Sequence, residues 1–196
     1  MANGAAFGDG SSVGRQYAKG ILVGFRSTII AVIALAAAAA PAPPAMSADL
    51  AFAASLRGNV ETSNTGSTAT GEAKLIVHTD KQTVDISLKV SGIAPADFAV
   101  HLAHAPMGPM HLHLYAANGD VSLLLPFPMA PDYQPTAGGF TYTRAGFAYA
   151  EGAKILGSAV TFDDFVTAMK SGKVVFNIHT NKFAEGEISG AVKPAP

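Results

Sequence analysis

An all-β fold, a Greek-key-like antiparallel β-sandwich with one short helix near the C-terminus, is predicted by three features of the sequence. Apolar and polar residues alternate with period two along several segments. These segments are short and are separated at regular spacing by Gly, Pro and Asn turn signals. One segment alone places its apolar residues at helical spacing.

In chain order, the first feature is a leader rather than part of the fold. Through residue 26 the only charges are Asp9, Arg15, Lys19 and Arg26, a basic excess. Thirteen uncharged, mostly apolar residues follow, TIIAVIALAAAAA at 28–40, then PAPPAMSAD. A basic region, a short apolar stretch and small residues at its exit describe a secretory signal peptide. The apolar run is shorter than the roughly 20 residues a membrane-spanning helix needs. Ala45-Met46-Ser47 has the small-x-small form, so residues 1–48 are read as a signal peptide and 49–196 as the mature domain, periplasmic or secreted. With the leader removed no membrane contact is expected. An uncleaved anchor is the alternative.

Within the domain, AKLIVHTD directs Leu75, Val77 and Thr79 to one face and Lys74, Ile76 and His78 to the other. TVDISLKVSG gives an apolar face of Val84, Ile86, Leu88 and Val90 before Gly92 and Pro95 break the strand. HLHLY (111–115) and VSLLL (121–125) read as strands around Asn118-Gly119-Asp120. Residues 126–160, rich in Pro, Gly and aromatic residues, read as a long loop region containing a hairpin around Phe140–Phe147, either a binding wall or a variable insertion. FDDFVTAMKSG (162–172) is the helix: Phe162, Phe165, Val166 and Met169 share a face, acidic residues open it, and Lys170 and Gly172 close it. KVVFNIHT (173–180) and GEISGAV (186–192) form a terminal hairpin across Asn181–Glu185.

Composition removes several kinds of chemistry. The chain has no cysteine, which excludes disulfides, thiolate zinc sites, cysteine nucleophiles and a cysteine-linked lipid anchor. Residues 49–196 carry 13 acidic and 10 basic side chains with no basic patch, which argues against nucleic acid as a partner. There is no Gly-x-Ser-x-Gly elbow and no phosphate-cradling glycine loop before a helix. Glu185 and Glu187 stand two apart near the last turn, with nothing that pairs them with a substrate cleft.

What remains is HLAHAPMGPMHLHL, residues 101–114, which gathers four of the six histidines and two of the six methionines. On a strand, His111 and His113 point the same way. Both therefore reach one ion at the roughly 2.0–2.1 Å of imidazole ligation. If the strand bearing His179 is a neighbour, a three-histidine set results. His104, His101, Met110 and Met107 are the further candidate ligands. Thioether sulfur favours Cu(I) and imidazole serves both copper states, so the mixed set points to copper, with zinc as the alternative. The bland readings are a backbone hydrogen bond for His179, exposed alternation for His111 and His113, and gap-filling for the methionines. The His-x-His spacing is similar to the copper strand of the copper–zinc superoxide dismutases. That is analogy only, since no other dismutase signature is present.

The run VVFNIHTNKFAEGEISGAV resembles the end of the CHRD domain, first described in chordin. Asn177, His179 and Thr180, then Gly186, Glu187, Ile188 and Gly190, match the family's closing strand and turn, with Ser189 in the usual arginine place. HLHLYAANGDV matches its earlier His-x-His strand through His111, His113, Asn118, Gly119 and Val121, with Asp120 in place of proline. A second register sets HLAH on that motif, using Gly108-Pro109. The resemblance covers roughly 55–192 and implies a Greek-key-like sandwich in an extracellular module, but no defined biochemistry.

Three functions follow as expectations. The first is an exported copper protein for storage, delivery or buffering. The second is a metal-free module that binds another exported protein or a glycan. The third is a dismutase-like copper oxidoreductase.

Overall fold

Alternation along β1 (Asp49–Val60) buries Phe52, Ala54 and Leu56 and leaves Ala51, Ala53 and Ser55 outside. The computed structural model describes residues 49–129 and 132–196, so the expected signal peptide, 1–48, lies outside the described residues. β1 forms a long antiparallel hairpin with β2 (Ser63–His78), which buries Ala69, Ala73, Leu75 and Val77. β3 (Thr83–Ser91) contributes Val84, Ile86, Leu88 and Val90, the face its alternation predicts. Beyond Gly92, which has φ +86°, Pro95–Asp97 makes one 3₁₀ turn and α1 (Val100–Ala103) one helical turn.

β4 (Met110–Tyr115) and β5 (Val121–Pro126) close across the expected Asn118–Asp120 turn. Residues 126–160 are more ordered than the expected loop region. They hold β6 (Tyr133–Thr136), a ten-residue strand β7 (Gly139–Ala148) and α2 (Tyr149–Leu156). The hairpin expected around Phe140–Phe147 instead turns between Thr136 and Gly139, leaving that span as one strand. α3 (Phe162–Ser171) begins where Thr161 accepts the Asp164 N–H at 3.2 Å and ends at left-handed Gly172. β8 (Val174–Ile178), β9 (Ile188–Ala191) and β10 (Lys193–Pro194) complete the chain. Among the described residues no helix is long and apolar enough to cross a membrane.

All pairings are antiparallel, in the order β5-β4-β8-β9-β1-β2-β3-β7-β6, with β10 added on β1. β8 returns from a distant part of the chain to pair with β4, and β9 then joins β1, a non-sequential order of the Greek-key kind. The ribbon curls on itself around one core. Phe127, just past β5, lies 4.6 Å from the Phe176 ring of β8 and 5.5 Å from Tyr142 of β7, near the ribbon's other end. The fold is therefore an all-β, sandwich-like one. Phe176 is wholly buried at this junction. Its replacement by alanine is expected to cost about 3–5 kcal/mol, read as a lower urea midpoint with unchanged slope.

Candidate metal centre

The register between β4 and β8 decides where the histidines go. His111 stands opposite Asn177 and His113 opposite Val175, while Met110, Leu112 and Leu114 stand opposite Ile178, Phe176 and Val174. Directly opposed residues share a face, so leucine and methionine fill the aromatic core and both histidines turn to the other face. His179 continues the ladder one step past β8, its N–H donating to the Pro109 carbonyl at 2.9 Å. Two residues beyond Asn177, it projects to the same side as His111.

The three rings form a near-equilateral triangle. Centroids are 5.7 Å apart for His111–His113, 5.2 Å for His111–His179 and 5.8 Å for His113–His179. An ion bound by three imidazoles at about 2.0–2.1 Å stands about 3.2 Å from each ring centre, which spaces those centres about 5.2–5.5 Å apart. The donor nitrogens all lie within 4.8 Å of one another.

Both His111 ring nitrogens, His113 Nε2 and His179 Nε2 are buried without a hydrogen-bond partner. Gly108 backbone lies near enough to His111 to favour its protonated form slightly, but hydrogen-bond geometry is not reached at either ring nitrogen. Orphaned buried imidazoles are costly in a native fold unless something else satisfies their lone pairs. His179 is oriented from behind. Its Nδ1–H donates to the Ala184 carbonyl at 2.7 Å, a bond that fixes the tautomer leaving Nε2 free to ligate. Asn177 anchors the same turn by donating from Nδ2 to the Glu185 carbonyl at 3.2 Å. Gly186 is required there, because a Cβ would overlap the Asn177 amide.

Burial pushes the His111 imidazole down to about 3, with His179 and His113 adding to the effect. Burial and then His179 push His113 down to about 4. His179 is lowered by burial and, less, by His101, against the Ala184 hydrogen bond and the Glu185 charge, which raise it. All three are thus neutral at pH 7, the form that binds metal. Imidazoles so far from neutral pKa make poor general acid–base groups, and the arrangement suits holding a cation better than moving protons.

Of the seven residues expected as ligands, the fold brings His111, His113 and His179 together. Met110 is a correction: it is fully buried on the opposite face, in the core, because it is one residue out of phase with His111. His101 and His104 are exposed on and beside α1, and Met107 is half-buried in the following turn. Neither histidine belongs to the cluster, although His101 is close enough for its charge to be felt at His179. Two neighbours were not anticipated. Tyr115 stacks on His113 at 6.1 Å and 17°, and the buried Asn177 Oδ1 also lacks a partner. Both sit two residues from a histidine of the triangle, so strand alternation carried the information.

Comparison with known proteins adds the lineage. Searches of curated proteins and of solved structures return no match. A family model described as CHRD domain matches residues 52–192, a span that includes the whole histidine triangle. The chain belongs to the CHRD domain family.

Proposed function

We propose that the protein is an exported copper-binding domain, periplasmic or secreted, that stores, buffers or delivers the ion through His111, His113 and His179. The observation that carries this reading is the triangle itself: three buried neutral imidazoles at ligation spacing, with orphaned nitrogens. The leader pattern at 1–48 supports export. The exposed His101, near enough for its charge to be felt at His179, and the imidazole and thioether of His104 and Met107 in the same segment support copper over zinc, as donors that would handle the ion at the surface. Elemental analysis of exported, untagged protein tests the reading, with one equivalent of copper as the expected result. His179→Ala should lower copper affinity at least about tenfold, or about 1.4 kcal/mol. An unchanged titration curve removes His179 from the site.

A second reading, a metal-free module that binds a protein or glycan, is favoured by a groove on the same face. It has a volume of about 1080 Å³ and is lined by Ser55, Thr62, Tyr115, Val175 and Lys193 among others. Metal-free protein on export, still binding its partner after His179→Ala, would establish this reading instead.

A further inference from the structure

The chemistry of the histidine triangle also bears on the charge of the ion it takes. No carboxylate or thiolate belongs to the cluster, and all six histidines of the chain lie among the described residues, so the donor set is three neutral imidazoles. Glu185, whose charge is felt at His179, is exposed and outside the cluster. The site is dry. His111, His113 and His179 are 3%, 9% and 8% exposed, and their orphaned nitrogens are inaccessible to solvent.

Desolvation of an ion grows with the square of its charge, so a divalent cation loses about four times what a monovalent one loses on entering such a site. Three neutral donors bring no net negative charge to set against that difference. Coordination number points the same way. Zinc takes four ligands in closed sites and Cu(II) prefers a tetragonal set. Here Met110 faces the core, and His101 and His104 are exposed, so no fourth imidazole joins the three, and the buried Asn177 Oδ1 is a hard amide oxygen of the kind that suits magnesium or calcium rather than copper or zinc. A closed-shell, singly charged copper ion is satisfied by three neutral nitrogens.

We infer that the cargo is monovalent copper, Cu(I), held three-coordinate by His111, His113 and His179. This rests on the metal-binding reading above and extends it to the oxidation state. A site that discriminates so strongly keeps copper in one state, which suits carriage rather than redox turnover.

The test is a set of competition titrations on full-length protein. Cu(I) is presented under ascorbate against bicinchoninate, and Cu(II) and Zn(II) are presented against chelators of matched strength. The expected result is one Cu(I) per chain, bound roughly a thousandfold more tightly than either divalent ion. X-ray absorption should show three nitrogen neighbours, and binding should be lost in His111→Leu/His179→Leu. Tighter binding of Cu(II) or Zn(II) overturns the inference and leaves a metal site standing. Cu(I) binding that survives the double variant, or is lost only in His101→Ala/His104→Ala/Met107→Leu, also overturns it. Binding of none of the three ions overturns both this inference and the reading beneath it.

Discussion

Replacing His111 by leucine is expected to stabilise the metal-free protein by about 1–3 kcal/mol, because it removes two buried nitrogens that nothing satisfies. The same change is expected to weaken copper binding at least about a hundredfold, or about 2.7 kcal/mol. The two effects have opposite signs only if the ring is there for a ligand. A histidine retained for a structural hydrogen bond would instead destabilise on replacement and leave metal binding alone. Urea melts of wild type and His111→Leu, with and without copper, measure both effects. Copper should raise the wild-type midpoint, since an ion that binds only the folded state stabilises it by mass action. It should leave the variant's midpoint nearly unmoved. A lower midpoint for the metal-free variant would show that the His111 ring has a structural partner.

Acidification is expected to destabilise the metal-free protein steeply. His111 and His113 bind protons in the unfolded chain near the ordinary value of 6.5, but in the folded chain only near about 3 and about 4. The unfolded state therefore holds more protons, and stability falls as pH falls. This contribution is complete above about pH 6.5 and is lost on the way down to about pH 4 and below. Two sites at about 1.4 kcal/mol per pH unit each give a loss on the order of 5 kcal/mol over that window, comparable to the whole stability of a small domain.

His78 acts in the opposite direction. Its hydrogen bonds to Asp85 and then Asp49 raise its pKa, so their contribution is full below 6.5 and is lost as pH rises through the raised value. That single, half-buried group near the surface does not offset the buried pair. Melts from pH 7.5 to 4 check the slope, and His111→Leu/His113→Leu should flatten it. An equally steep slope in the double variant would place the acid sensitivity elsewhere.

The parts of the fold that were legible in the sequence are those built from large apolar residues. TVDISLKV and HLHLY show clean alternation, and their burial follows it, apart from the histidines, which are buried on the face expected to be polar. β1 and the first half of β2 escaped notice because several of their inward positions are small. Ala54, Ala69, Gly71 and Ala73 carry little strand propensity, and SNTGSTATG has the composition of a turn.

β7 was hidden by a break in its period. Its pairing with β3 shifts register between Val84 and Ile86, where Asp85 accepts the Gly146 N–H at 2.7 Å. The buried positions consequently run Phe140, Tyr142, then Phe147. α2 was masked by Gly152, which a sequence reading takes as a breaker. In the fold it lets the helix lie against β5, since a Cβ there would stand 3.0 Å from Pro126 and 3.1 Å from Leu125.

At the metal centre, same-side placement of His111 and His113 follows from spacing alone. The pairing of β4 with β8 is a long-range choice that a single segment cannot encode. Met110 shows the limit of counting nearby sulfur: one residue of phase separates a side chain of the triangle from a core side chain.

The segment that carries His101 is tied to the backbone of His179 on both sides of the strand end. Ala99 N–H reaches the His179 carbonyl at 3.3 Å, and Asn181 N–H reaches the Asp97 carbonyl at 2.9 Å. Together with the Pro109 contact these bonds pin the strand end that carries His179. If the triangle takes an ion, as proposed, its dwell time should follow how often the protein breathes at this seam as well as ligand strength.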